Sequence, residues 1–133
     1  MKTATVFLSD LSRELPIAHN LDFIALAGYE GNGGGGRVRL LKDLTLSIKG
    51  RDVLLVEDVV DTGMTLNFLV KTLALREPSS LAAVALLERP YRRLVEDLPV
   101  RYVGFTVPDE FFVGYGFDLE GRWRNLPDLR LLR

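Results

Sequence analysis

The sequence predicts an α/β fold: a mainly parallel, twisted sheet flanked by helices. Three observations carry that prediction. Val53–Glu57 (VLLVE) and Ala82–Leu87 (AAVALL) are continuous apolar runs, which suit strands buried on both faces. Between them Leu66, Leu69, Val70 and Leu73 repeat at helical spacing, and Pro78 closes that helix. Strand, helix, strand in this order makes a βαβ unit, whose strands are parallel and whose crossover is right-handed.

The remaining elements follow in chain order. Phe7, Leu8, Leu11 and Leu15 fall on one helical face, and Pro16 ends that helix. Leu21–Ala27 (LDFIALA) is short, apolar and bounded by turn residues, so it reads as a strand. Arg37–Leu41 and Leu44–Ile48 partly alternate and are expected to form a hairpin. The glycine tract before them, Gly31–Gly36, is expected to belong to a mobile lid over residues 28–50 that closes over a reacting substrate. Gly31-x-Gly33-x-x-Gly36 matches the dinucleotide fingerprint in form. That fingerprint must turn tightly into a helix, whereas each glycine costs a helix roughly 1 kcal/mol. Arg101–Phe105 and Phe111–Gly114 complete the set as short strands. With no repeat and no linker, residues 1–133 read as one domain.

Composition narrows the function. A chain of 133 residues with 17 basic and 18 acidic side chains has a net charge of −1, which gives nucleic acid or an anionic membrane no basic surface to bind. Hydrophobic residues make up 47% and charged residues 26%, the balance of a water-soluble globular chain. Cysteine is absent, which removes disulfides, thiolate zinc sites and cysteine nucleophiles together. One histidine, His19, is too few for a histidine metal cage and reads as part of a turn. No apolar run approaches the ~20 residues of a membrane span, and Met1-Lys2-Thr3 does not open a secretory signal, so the expected compartment is the cytoplasm.

The chemistry concentrates in Glu57-Asp58-Val59-Val60-Asp61-Thr62-Gly63-Met64-Thr65. In open α/β sheets ligands bind beyond the carboxyl ends of the strands, where this segment falls. Thr62, Gly63 and Thr65 stand where the next helix begins, so free N–H groups, the helix dipole and two hydroxyls suit a phosphate. Met64 follows Gly63 where a Walker A loop carries lysine, which disfavours nucleoside triphosphate hydrolysis. Carboxylates beside a phosphate site make sense if the ligand also brings a diol, a metal ion or developing positive charge. Glu57 and Asp58 can accept hydrogen bonds from ribose hydroxyls or hold Mg²⁺ through water, and Asp61 can take a proton. A pentose 5-phosphate meets every requirement. The plainer alternative is that the acids end a strand and Asp61 or Thr62 caps a helix.

VLLVEDVVDTGMT resembles the phosphoribosyl-pyrophosphate loop of the type I phosphoribosyltransferases. The likeness continues through LDFIALAGY, the glycine tract, ALLERPYRR and YVGFTVPDEFFVGYGFDLEGRWRNLP, in the order found in the hypoxanthine-guanine branch. It implies transfer of a ribose 5-phosphate group from phosphoribosyl pyrophosphate to a 6-oxopurine, with Mg²⁺, giving a nucleoside 5′-monophosphate and pyrophosphate. Carried over, Glu57 and Asp58 bind the ribose hydroxyls directly or through metal water. Residues 57–65 hold the phosphoribosyl group, and Asp61 acts as general base. Arg89 stands where the family has a lysine reaching the purine 6-oxo group. Phe111 stacks on the base and Phe112 offers backbone groups to its edge. Asp118 ligates a second Mg²⁺, and Lys2 and Arg124 hold pyrophosphate. Tyr29 belongs to the lid. A homodimer or homotetramer is implied as well. Taken singly, Phe111 and Phe112 also fit plain strand packing, Asp118 a turn and Arg124 a solvated tail.

The amino end departs from the family pattern. Met1-Lys2-Thr3-Ala4 begins at the pyrophosphate loop with threonine in place of glycine, and the core strand before that loop is expected to be missing. These departures leave two further readings open: a xanthine-preferring transferase, to which arginine at 89 points, and a weakly active or non-catalytic nucleotide-binding remnant. Either way, monophosphate binding is expected to survive better than turnover.

Overall fold

The computed structural model describes residues 2–29 and 37–132. In chain order these form α1 (Ala4–Glu14), β1 (Ala25–Tyr29), β2 (Arg37–Lys42), β3 (Asp52–Val60), α2 (Met64–Ala74), β4 (Ser80–Glu88), a 3₁₀ turn (Pro90–Arg92), β5 (Val100–Thr106), β6 (Phe111–Val113) and β7 (Arg130–Leu132). β3, β4 and β5 make a parallel sheet in that order, with Glu57 opposite Ala85 and Leu87 opposite Phe105. The other two sheets are antiparallel ribbons, β1 with β2 and β6 with β7.

The parallel sheet is the expected βαβ unit. Ala83 to Leu87 of the central strand are all buried, which is why that run has no polar alternation. Ala83 and Ala85 are small enough to seat Val60 and Leu66 in one apolar cluster. The same helix carries Leu69 and Leu73 into a second cluster with Ile24, flanked by Leu26, Leu40, Leu44, Ile48 and Leu55. α2 is thus the packing element shared by the sheet and the β1–β2 ribbon. α1 stops at Glu14, and Leu15 takes an extended ψ of 117°, the backbone that a following proline requires.

Three expectations need correction. Arg37–Leu41 does not pair with Leu44–Ile48; it lies in β2, which pairs with β1 across the glycine tract. Residues 44–48 bend, because the Asp22 carboxylate accepts the amides of Thr45 (2.7 Å) and Leu46 (2.8 Å). Those bonds hold the Asp22 carboxyl well below the usual carboxylate range. The same role takes Asp22 out of the strand expected over Leu21–Ala27, which begins at Ala25. Finally, the strand expected over Val53–Glu57 runs on to Val60, so Asp58 and Val59 are strand residues too. The glycine tract, and with it the centre of the expected lid and the dinucleotide-like spacing, lies outside the described residues.

β3 is an edge of the parallel sheet among the described residues. Every residue from Arg51 to Gly63 lines one cavity of about 530 Å³, whose other walls include Leu8 of α1, Phe23, Ile24 and Leu69. Successive side chains of a strand point to opposite faces, so a cavity touching all of them in turn runs along the strand's edge. Its carboxyl-end wall is the acidic segment Glu57–Thr65.

Leu73 is 1% exposed at the centre of the second cluster, whereas Leu75, two residues on, is 85% exposed. Leu73→Ala should therefore cost about 2–5 kcal/mol of stability and Leu75→Ala less than about 0.5, compared by urea unfolding. Equal losses in the two variants would contradict this assignment of the core.

Candidate active site

The carboxyl ends of β3 and β4 lie side by side, with Val60 opposite Glu88, and each continues into a loop that carries charge. From β3 the chain turns through Asp61, Thr62 and Gly63 into α2. Gly63 is the residue before the helix and has φ +84°, a left-handed conformation that favours glycine. A β-carbon there would lie 2.8 Å from Leu98 Cδ1 and 3.2 Å from the Val95 carbonyl oxygen. The space a side chain would need at this glycine is therefore taken by the 93–98 loop. Among the described residues no side chain caps α2 from the residue before it, and the Thr62 hydroxyl accepts the Met64 amide at 3.4 Å. Capping does not account for Asp61, and a helix start of this kind suits an anion.

Glu57 and Asp58 are half-buried neighbours with no lysine or arginine ion-paired to either among the described residues. Burial first, and the adjacent Asp58 charge second, push the Glu57 carboxyl up to about 7. Asp58 accepts the Val59 amide at 2.8 Å.

Asp61 is held differently. Arg89 Nη1 lies 3.6 Å from one carboxylate oxygen and Arg92 Nε 3.2 Å from the other. Arg89 also donates to the Glu110 carbonyl at 2.7 Å, so it spans from the β3 loop to the residue before Phe111. The structure thus brings Asp61, Arg89 and the start of β6 together. Phe111 is 59% exposed, Phe112 half-buried, and their strand is anchored by pairing with β7. β7 escaped the sequence reading because three residues near the chain's end carry too little pattern.

Asp118 and Arg124 form an ion pair at 2.5 Å, and Asp118 also accepts the Gly121 amide. Arg124 donates to the Gly116 carbonyl at 2.7 Å and to the Thr3 hydroxyl at 2.9 Å. Thr3, standing where the family pattern has glycine, therefore ties the amino-terminal turn to the carboxyl-terminal segment. Lys2 is exposed in that turn. Residues from opposite ends of the chain meet, with Tyr115 donating to Asp10 of α1 as a second tie. Arg89, Phe111, Asp118 and Arg124 lie outside the lining of the β3-edge cavity, which reaches the site only through Glu57–Thr65. Arg92 was missed in the sequence; the doubled arginine after a strand end and a proline was its only signal.

A parallel sheet with an acidic strand end running into a helix start suits a protein that binds a phosphate-bearing ligand. The phosphoribosyl transferase domain matches residues 1–120, and the chain belongs to that family. More particularly, it is 47% identical over 128 residues to the hypoxanthine phosphoribosyltransferase of Salmonella typhimurium, covering 96% of this chain and 71% of that protein. It is 45% identical, with the same coverage, to that of Escherichia coli. Of the solved structures, a hypoxanthine phosphoribosyltransferase from Staphylococcus aureus superposes with a TM-score of 0.93 at 39% identity, covering all of this chain and 72% of that one. The Trypanosoma cruzi enzyme in complex with its product IMP gives 0.91 at 38% identity, with the same coverage.

The raised Glu57 pKa has a signed consequence for stability. Between its unperturbed value of 4.5 and about 7 the folded chain binds more protons at this group than the unfolded chain. The contribution of Glu57 is thus complete below 4.5 and is lost as pH rises through 7. Glu57→Gln should flatten that fall, read from urea midpoints between pH 4.5 and 8. Parallel pH profiles in variant and wild type would remove Glu57 as its source.

Proposed function

We propose that this protein transfers the 5-phosphoribosyl group from phosphoribosyl pyrophosphate to hypoxanthine or guanine, giving IMP or GMP and pyrophosphate. The observation that carries the reading is the Glu57–Thr65 segment, placed at the carboxyl end of β3 and running into a helix start, in a chain of this family. The bond from the anomeric carbon to pyrophosphate breaks, a bond to a purine ring nitrogen forms, and the nitrogen's proton passes to the Asp61 carboxylate. As the sugar gains oxocarbenium character, fixed carboxylates near the anomeric carbon stabilise the charge.

In this reading the amides and hydroxyls of Thr62–Thr65 hold the 5-phosphate, and Glu57 and Asp58 take the ribose hydroxyls. Arg89 donates to the 6-oxo group, Phe111 stacks on the purine and Phe112 presents its backbone to the purine edge. Lys2 and Arg124 face the pyrophosphate. Among the described residues no three His, Cys, Asp or Glu side chains gather as a metal cage. Glu57 and Asp58, which have no paired cation, would hold Mg²⁺ that arrives with the donor, and Asp118 would take a second ion on leaving its pairing with Arg124. Metal held there would offset charge on the departing pyrophosphate. Tyr102 and Phe105, each 61% exposed on the outer strand β5, support a homodimer or homotetramer. No helix among the described residues is long and apolar enough to cross a membrane. A polyanionic donor does not cross a bilayer, which supports the cytoplasm as the shared compartment of enzyme and substrate.

Asp61→Asn removes a base while nearly keeping volume, so turnover of hypoxanthine should fall roughly 100-fold or more with IMP affinity retained, measured by steady-state kinetics and calorimetry. Equal turnover in variant and wild type would take Asp61 out of the chemistry.

Base choice gives an independent check. Arginine donates and cannot accept, so Arg89 pairs with a 6-oxo oxygen but meets the 6-amino group of adenine donor to donor. Hypoxanthine and guanine should be substrates and adenine should not, in a competition assay with Mg²⁺ and donor. Adenine turned over as fast as hypoxanthine would reverse the assignment of Arg89.

A further inference from the structure

We infer that Arg92 is the positioning residue of the reaction: it fixes the Asp61 carboxylate and the purine-facing loop to each other, leaving Arg89 free for the substrate. This rests on the phosphoribosyl transfer proposed above, and it assigns a role to a side chain that the likeness over ALLERPYRR left without one.

The backbone prepares the geometry. Arg89, Pro90, Tyr91 and Arg92 make a 3₁₀ turn, closed by the Arg92 amide on the Arg89 carbonyl (3.1 Å) and the Arg93 amide on that of Pro90 (3.1 Å). Pro90 presets the first φ of the turn at no hydrogen-bonding cost. Arg89 precedes the turn with a non-helical backbone (φ −125°, ψ 81°) and Arg92 ends it. Both guanidinium groups reach the one Asp61 carboxylate, Arg89 at 3.6 Å and Arg92 at 3.2 Å.

The two arginines differ in what else they hold. Arg89 also binds the Glu110 carbonyl, and in the proposed reaction its donors are needed by the purine oxygen. Arg92 has no such second demand. Its Nη1 donates to Asp109 at 3.3 Å, one residue from Glu110, while its Nε faces Asp61. Arg92 is therefore a bridge between two carboxylates, one on the phosphoribosyl loop and one on the loop leading to Phe111. The Asp61 oxygen it faces is buried and, among the described residues, accepts no hydrogen bond, so the Arg92 charge is what compensates it. When the purine draws Arg89 away, Arg92 keeps Asp61 oriented.

The test compares Arg92→Met, which keeps the stem, with Arg92→Lys, which keeps the charge; Arg92 is partly exposed (44% of its side chain), so neither change touches the core. Kinetics with hypoxanthine, IMP affinity by calorimetry and thermal midpoints are read for each. Arg92→Met should lower kcat roughly 10- to 100-fold, a share of the usual general-base contribution. IMP affinity and the thermal midpoint should stay within about twofold and about 2 °C of wild type, as expected for a surface change, and Arg92→Lys should recover part of the lost kcat. A kcat within twofold of wild type in Arg92→Met overturns the inference while leaving the transferase reading intact. So does a parallel loss of kcat and IMP affinity, which would mark a general collapse of the site. Wild-type protein with no transfer activity overturns both.

Discussion

Parallel pairing of β3 with β4 is the constraint on which the rest depends. It puts two carboxyl ends at one edge of the sheet, Val60 beside Glu88, so the acidic turn after one strand faces the basic turn after the other. Nothing in the ladder itself is chemical. Yet a shift of one residue would exchange the faces of β4 and carry Ala83 and Ala85 away from the helix they allow to approach. Packing at the alanines and ion pairing at Asp61 are two ends of one registered strand pair.

The charges past that edge are sorted by environment. Glu57 and Asp58, on the strand, are half-buried without a paired cation, and the Glu57 carboxyl responds by holding its proton to about 7. Asp61, one turn later, is flanked by two guanidinium groups. One pair of carboxylates therefore waits for positive charge from outside, and one carboxylate carries its own. That division suits a site where a cationic sugar and a proton must be received at different points, because a single undifferentiated acidic cluster would bind protons and metal indiscriminately.

The βαβ unit was legible because its signals are local and strong: two uninterrupted apolar runs and a helical stripe. The bend at 44–48 was less so, since Asp22 decides it from more than twenty residues away through its hydrogen bonds to Thr45 and Leu46, and that role also keeps Asp22 out of the strand at 25–29. Propensity cannot register a carboxylate that arrives from another segment. The site shows the same split. Glu57–Thr65 reads as a block, being one strand end and one helix start. Arg92 does not, because its significance lies in the 3₁₀ turn that aims it, and an arginine following a strand looks like any solvated surface charge. Gly63 was legible as part of the helix start, but not the reason a side chain is excluded there: the loop at Val95 and Leu98 takes the space.

The ties between the chain's two ends bear on the order of assembly. Tyr115 bonds Asp10 across 105 residues of sequence, and Arg124 bonds Thr3 across 121. Contacts of such separation raise contact order and are closed late, after the entropy of a long loop has been given up. The β3–α2–β4 unit spans fewer than forty residues and can collapse early. On that ground the acidic strand end is expected to form before the segment around Tyr115 and Arg124 is tied to α1 and Thr3. Ribosomal synthesis makes the delay physical: α1 emerges about a hundred residues before Tyr115, which bonds its Asp10, exists.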